Sequence, residues 1–133
     1  MKLNIGCMRD TLLALEQFEY GQPIHHKELE KILASSYSEA DIQYSLLKLS
    51  EAGYIRAQIF NESGFCFQVN IIFDITYTGH EFLNSVRPKS VWQKISHLIG
   101  KTGIESLSIA NGIAKTIATD EFSKLLLSTI HPK

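Results

Sequence analysis

The sequence predicts an α+β domain of three helices, a β-hairpin and further helices. Three observations predict it. Apolar residues recur at spacings of three and four from Ile5 to Leu49. The period then falls to two between Ile55 and Ile75. Helical spacing returns after Thr78 and persists to the tail.

In chain order, Ile5, Met8, Leu12 and Leu15 share one helical face, with Asn4 as N-cap. This first helix is expected to end at "EYGQP", where Gly21 and Pro23 break it. "HHKELEKILASS" reads as a second, shorter helix with Leu29, Ile32 and Leu33 inward. Ser38 followed by Asp41 resembles a capping box and opens a third helix, whose buried face is Ile42, Leu46 and Leu49. Gly53 ends it as the C′ residue. Two strands follow: Ile55, Ala57 and Ile59 alternate with Arg56 and Gln58, and Phe65, Phe67, Val69, Ile71, Phe73 and Ile75 share one side of the second. "NESG" supplies the turn of this two-stranded hairpin. "TGHE", Thr78–Glu81, matches S/T-x-x-E and opens a helix through Val86. Pro88 interrupts it. "KSVWQKISHLIG" is the next helix, with Val91, Trp92, Ile95, Leu98 and Ile99 apolar and Gly100 as its stop. Ile104, Leu107, Ala110, Ala114 and Ile117 continue in helical register, and Asp120 is expected to cap one last turn or two.

With 133 residues and no linker, the chain is expected to be one structural domain, residues 1–87 with a helical extension, 88–133, packed on it. Hydrophobic content of 44% and charged content of 20% suit a globular chain. Formal net charge is −1, and neither half is basic: residues 1–60 hold 6 basic and 8 acidic residues, residues 61–133 hold 7 and 6. Nucleic-acid binding would therefore rest on a local patch. Cys7 and Cys66 lack CxxC spacing and read as reduced thiols. No apolar run approaches the roughly 20 residues that span a bilayer, and Arg9 and Asp10 interrupt the start, so a cytoplasmic location is expected.

Three helices, a hairpin, then more helix is the order of a winged helix-turn-helix, in which a glycine turn sends the wing strand back across the helices. "LLKLSEAGYI" resembles the recognition-helix-to-wing junction of many winged-helix regulators. Together, "MKLNIGCMRDTLLALE", "YSEADIQYSLLKLSEAGYI", "ITYTGHEFLNSVR" and "VWQKI" resemble a narrower group, from Met1 to about Ile117. That group is a domain-of-unknown-function family of small bacterial proteins common in phages and prophages. The resemblance implies a winged-helix fold, a phage-linked context and a regulatory or DNA-binding role. The family has no established catalytic residues to transfer.

On the third helix, Ala40, Tyr44, Leu47 and Glu51 lie opposite the buried face, flanked by Asp41, Gln43 and Lys48. Two readings follow. In the first, a transcriptional regulator contacts double-stranded DNA through Gln43, Tyr44, Lys48 and Arg56, an amide and cations being the usual base and phosphate partners. In the second, a protein-interaction or dimerisation module uses Tyr44 and Leu47 with Ile104, Leu107 and Ile117 of the C-terminal segment, because the outer face carries two carboxylates, Asp41 and Glu51, and an exposed apolar pair. Small residues, Ala110 and Ala114, would let that segment pair closely with its copy in a homodimer. No metal or cofactor is expected: adjacent His25 and His26 point about 100° apart on a helix. No enzyme is expected either, since GxSxG, P-loop and HExxH patterns are absent. His80 and Glu81 read as helix-opening residues.

Overall fold

The structure is a computed structural model that describes residues 1–130. It divides into two compact units, Met1–Leu83 and Asn84–Lys133. The chain runs α1 (Ile5–Leu15), β1 (Ile24–His25), α2 (His26–Leu33), α3 (Glu39–Glu51), β2 (Ile55–Phe60), β3 (Gln68–Ile75), α4 (Tyr77–Val86), α5 (Lys89–Thr102) and α6 (Leu107–Ile130).

In the first unit, α1 is the central helix. The Asn4 side chain accepts from Cys7 N–H at 3.0 Å, and Ile5, Met8, Leu12 and Leu15 are buried. The helix ends at Leu15, earlier than the glycine at 21 suggests, and single hydrogen-bonded turns carry the chain on. The residues after Pro23 then form a strand that sequence periodicity gives no sign of. Ile24 and His25 pair antiparallel with Ile72 and Ile71, so the expected two-stranded hairpin is a three-stranded antiparallel sheet ordered β1-β3-β2. Two residues are too few to show a period.

His25 caps α2: its Nδ1 accepts from Lys27 N–H, and the Glu28 carboxylate accepts from His25 N–H at 3.2 Å. His26 reaches one turn on to Glu30 at 2.8 Å. Leu29 and Leu33 are buried, but Ile32 is exposed, contrary to expectation. In α3 the Ser38 hydroxyl accepts from Asp41 N–H at 3.1 Å. Ile42, Leu46 and Leu49 are fully buried. The helix ends in a Schellman turn: Tyr54 N–H donates to Leu49 O, Gly53 N–H donates to Ser50 O, and Gly53 has φ +79°. The left-handed backbone there turns the chain from α3 directly into β2.

The second strand corrects the expected alternation. Ile55 faces Ile75, Ala57 faces Ile72 and Ile59 faces Val69, with register shifts that leave Phe73 and Asn70 as extra residues on β3. Each extra residue flips the strand's parity. The core side of β3 is therefore Val69, Ile72 and Ile75, three apart, and Val69 and Ile72 are fully buried. Phe73 is exposed, as are Phe65 and Phe67, which precede the strand in a connection wider than "NESG". Ile59 is also partly exposed, at 38%.

The first turn of α4 is capped by Thr76, two residues before the expected Thr78. The Thr76 hydroxyl accepts from Gly79 N–H at 3.1 Å and donates to Gly53 O at 2.6 Å. Gly79 is buried, and a methyl group there would lie on the Tyr54 carbonyl and 2.8 Å from Ile75 Cγ2. Phe82 stacks on Tyr54 with ring centroids 5.1 Å apart.

In the second unit α5 and α6 pack together, burying Val91 and Ile95 of α5 and Ala110 and Ala114 of α6. Helix α5 passes through Gly100, the expected stop, and ends at Gly103, whose φ is +71°. Gly100 is not required to bend the chain, whereas Gly103 takes the left-handed C-cap. Ile104 lies in the turn before α6 rather than in the helix, and the Ser106 hydroxyl caps α6 through Ile109 N–H at 3.2 Å. From there α6 is continuous for 24 residues, so Asp120 lies inside it and caps nothing. Among the described residues no helix is long and apolar enough to cross a membrane.

Candidate functional site

A groove of about 1000 Å³ opens between α2, α3 and the connection from β2 to β3. Helix α3 contributes Ala40, Gln43, Tyr44 and Leu47, α2 contributes Lys27 and Lys31, and the connection contributes Phe65 and Phe67. Burial of Ile42, Leu46 and Leu49 on one side of α3 fixes which side is left for this groove. Tyr44 and Leu47 are half-buried, whereas Phe65 and Phe67 are 95% and 61% exposed. An open surface of this size lined by aromatic and aliphatic side chains is unusual unless something binds there.

The polar residues expected to read DNA are held within the fold. The Gln43 amide makes two hydrogen bonds to one backbone unit: its nitrogen donates to Val69 O and its oxygen accepts from Val69 N–H, both at 3.0 Å. It thereby fastens α3 to β3. Lys48 Nζ lies 2.8 Å from Glu51 and 5.2 Å from the centre of the Tyr44 ring. The hydrogen bond that Lys48 donates to Glu51 holds its ammonium above its ordinary range. Arg56 is elsewhere, on the outward side of the sheet, 2.7 Å from Asp74 on the neighbouring strand. Of the four, only Gln43 and Tyr44 line the groove, with Lys48 beside it.

Charge along α3 follows helix physics. Glu39 and Asp41 occupy the first turn and Lys48 the last, each favourable to the helix dipole. The same carboxylates place negative charge where an incoming phosphate would meet the start of the helix. On α2 the charge is mixed: Glu30 is engaged by His26, while Lys27 and Lys31, one turn apart, stand exposed along the groove.

Of the expected interface residues, Tyr44 and Leu47 share the groove, whereas Ile104, Leu107 and Ile117 belong to the second unit. There Ile104 lines a cavity of about 150 Å³ with Ile95, Leu98 and Ile113. Leu107 and Ile117 are half-buried on α6. Sequence reasoning missed Phe65 and Phe67 as groove residues. Their spacing of two after a turn looks the same whether the pair continues a strand or precedes one.

Behind the groove, Cys7 is buried and its thiol donates to Asp41 O at 3.7 Å. Burial pushes this thiol above its ordinary range. Tyr37 at the groove's edge donates to Asp10 Oδ2 at 2.7 Å, and burial together with that bond pushes its phenol up strongly. Cys66, in the connection, is exposed.

A family model described as hypothetical protein (DUF2513) matches residues 2–105. Among curated proteins no match is found. Among solved structures the chain is similar to the crystal structure of a candidate transcriptional regulator from Thermoplasma acidophilum. The similarity has 22% identity and a TM-score of 0.46, covering 74% of this chain and 93% of that one.

Proposed function

The chain belongs to the DUF2513 family of hypothetical proteins, and we propose that it is a winged-helix regulatory module whose α3 face binds protein rather than base edges. The helix–strand–helix–helix–strand–strand order of the first unit, closed by a sheet ordered β1-β3-β2, supports the winged-helix part of this reading. One observation carries the protein-binding part. The outer side of α3 offers an apolar groove of Ala40, Tyr44, Leu47, Phe65 and Phe67, while Gln43, Lys48 and Arg56 are spent on Val69, Glu51 and Asp74. Freeing them for DNA would break three internal contacts, and the counterion release that drives DNA affinity needs several uncommitted cations. An apolar helical segment laid along α3 needs none of that.

The DNA reading has one observation in its favour: Tyr44 and Lys48 stand together on the outer side of α3. Fluorescence anisotropy with random duplex DNA over a salt series separates the two. The expected result is no saturable binding at about 50 mM salt. Binding that falls steeply with salt and is lost on Lys48→Glu and Arg56→Glu would overturn the protein-binding reading.

A further inference from the structure

Past Ile117 no described residue of α6 is buried. From Ala118 to Thr129 each residue is exposed, including Phe122 at 62%, Leu125 at 64% and Leu126 at 46%. At about 100° per residue, Phe122, Leu125, Leu126 and Thr129 lie on one side of the helix, at i, i+3, i+4 and i+7. That is the anchor spacing of a helix that lies in an apolar groove. Glu121, about 100° round the helix from Phe122, flanks the stripe with a carboxylate at its N-terminal end.

The groove of the first unit has the complementary character. Its floor is aromatic and aliphatic, Lys27 and Lys31 run along the α2 wall beside Glu30, which His26 engages, and Glu39 stands at the start of α3. We propose that the groove takes the second half of α6 from another copy of this chain, with Phe122, Leu125 and Leu126 over Tyr44, Leu47 and Phe67, and Glu121 toward Lys27 and Lys31. The proposal rests on the protein-binding reading of the groove and names its occupant. A two-fold symmetric dimer makes this contact twice, so two modest helix-in-groove interfaces add to one of ordinary size. The apolar residues supply affinity and the charges set the direction of the helix.

Analytical ultracentrifugation of the full chain over a range of concentrations tests this. A reversible dimer is expected, weakened at least about tenfold by Leu125→Asp on the helix and by Leu47→Asp in the groove. The paired change Lys27→Glu/Lys31→Glu, on exposed positions of α2, is expected to weaken the dimer as well. Adding Glu121→Lys to that variant is expected to restore it. A chain that stays monomeric overturns the proposal. So does a dimer lost with Leu125→Asp but kept with Leu47→Asp, because α6 then pairs with something other than the groove. Independent effects of the two charge changes also overturn it. Failure by any of these routes with no DNA binding leaves the protein-binding reading standing, whereas salt-sensitive DNA binding removes that reading itself.

Discussion

Gln43 is where the choice between DNA reading and structural support is sharpest. Its amide holds both polar groups of Val69, and Val69 is fully buried. Gln43→Leu is therefore expected to lower stability by about 1–3 kcal/mol, because a buried backbone donor and acceptor lose their partner. Gln43→Glu keeps an acceptor for Val69 N–H but turns a carboxylate toward Val69 O, and is expected to cost at least as much. Urea unfolding followed by circular dichroism checks both. Wild-type stability in both variants would mean that the amide is free for another role. Gly79 is a second such residue. With the Tyr54 carbonyl where a Cβ would stand, Gly79→Ala forces backbone rather than side chain to move. A loss of about 1–3 kcal/mol or more is expected in the same measurement. The two thiols differ as well. Cys66 is exposed and Cys7 buried with its thiol pushed up, so a chromogenic disulfide reagent is expected to label one thiol quickly and the second only with denaturant.

Among the elements, the junction of α3, β2 and α4 rests on Thr76, which caps α4 and also donates to Gly53 O. Thr76→Val keeps the shape and removes both bonds, and a thermal or urea measurement is expected to show a loss of about 1–2 kcal/mol. Thr76→Ser should recover most of it. Other parts of the first unit were legible in sequence: Asn4 and Ser38 as caps, Gly53 as the helix stop, and Ile42, Leu46 and Leu49 as the buried stripe all depend on residues within about a turn or two of each other. What was not legible depends on partners far along the chain. Thr76 and Thr78 are equally good local cap signals, and only the position of Gly53 O selects the first. The two extra residues of β3 convert a period of two into a core side spaced by three, which a pattern search reads as the wrong side of the strand. Gln43 is visibly polar, but its partner is a backbone unit 26 positions away. The groove was half legible for the same reason. Tyr44 and Leu47 follow from helix geometry, whereas Phe65 and Phe67 reach the groove through the course of a connection with no period at all.

For the whole molecule, these burials imply a one-sided dependence of stability on pH. Cys7, Tyr37 and Tyr54 all have acid groups pushed up in the fold. Burial is the leading cause for each, joined at Tyr37 by its hydrogen bond to Asp10. A raised acid binds its proton more tightly when folded than when unfolded. Its contribution is complete below the unfolded value, 9.0 for the thiol and 10.0 for the phenols, and is lost as pH rises from there toward the folded value. Stability set by these three groups is therefore expected to be level around neutrality and to fall above about pH 9, steepening above pH 10. Tyr37→Phe separates their shares. Near neutrality it removes the bond to Asp10 and is expected to cost about 1 kcal/mol. Above pH 10 it also removes a group that unfolding would ionise, so the curve for the variant should fall less steeply and approach the wild-type curve. Urea midpoints at closely spaced pH values read both slopes. Parallel curves across the alkaline range would mean that Tyr37 ionises as readily folded as unfolded, and its buried bond to Asp10 would have to be given up.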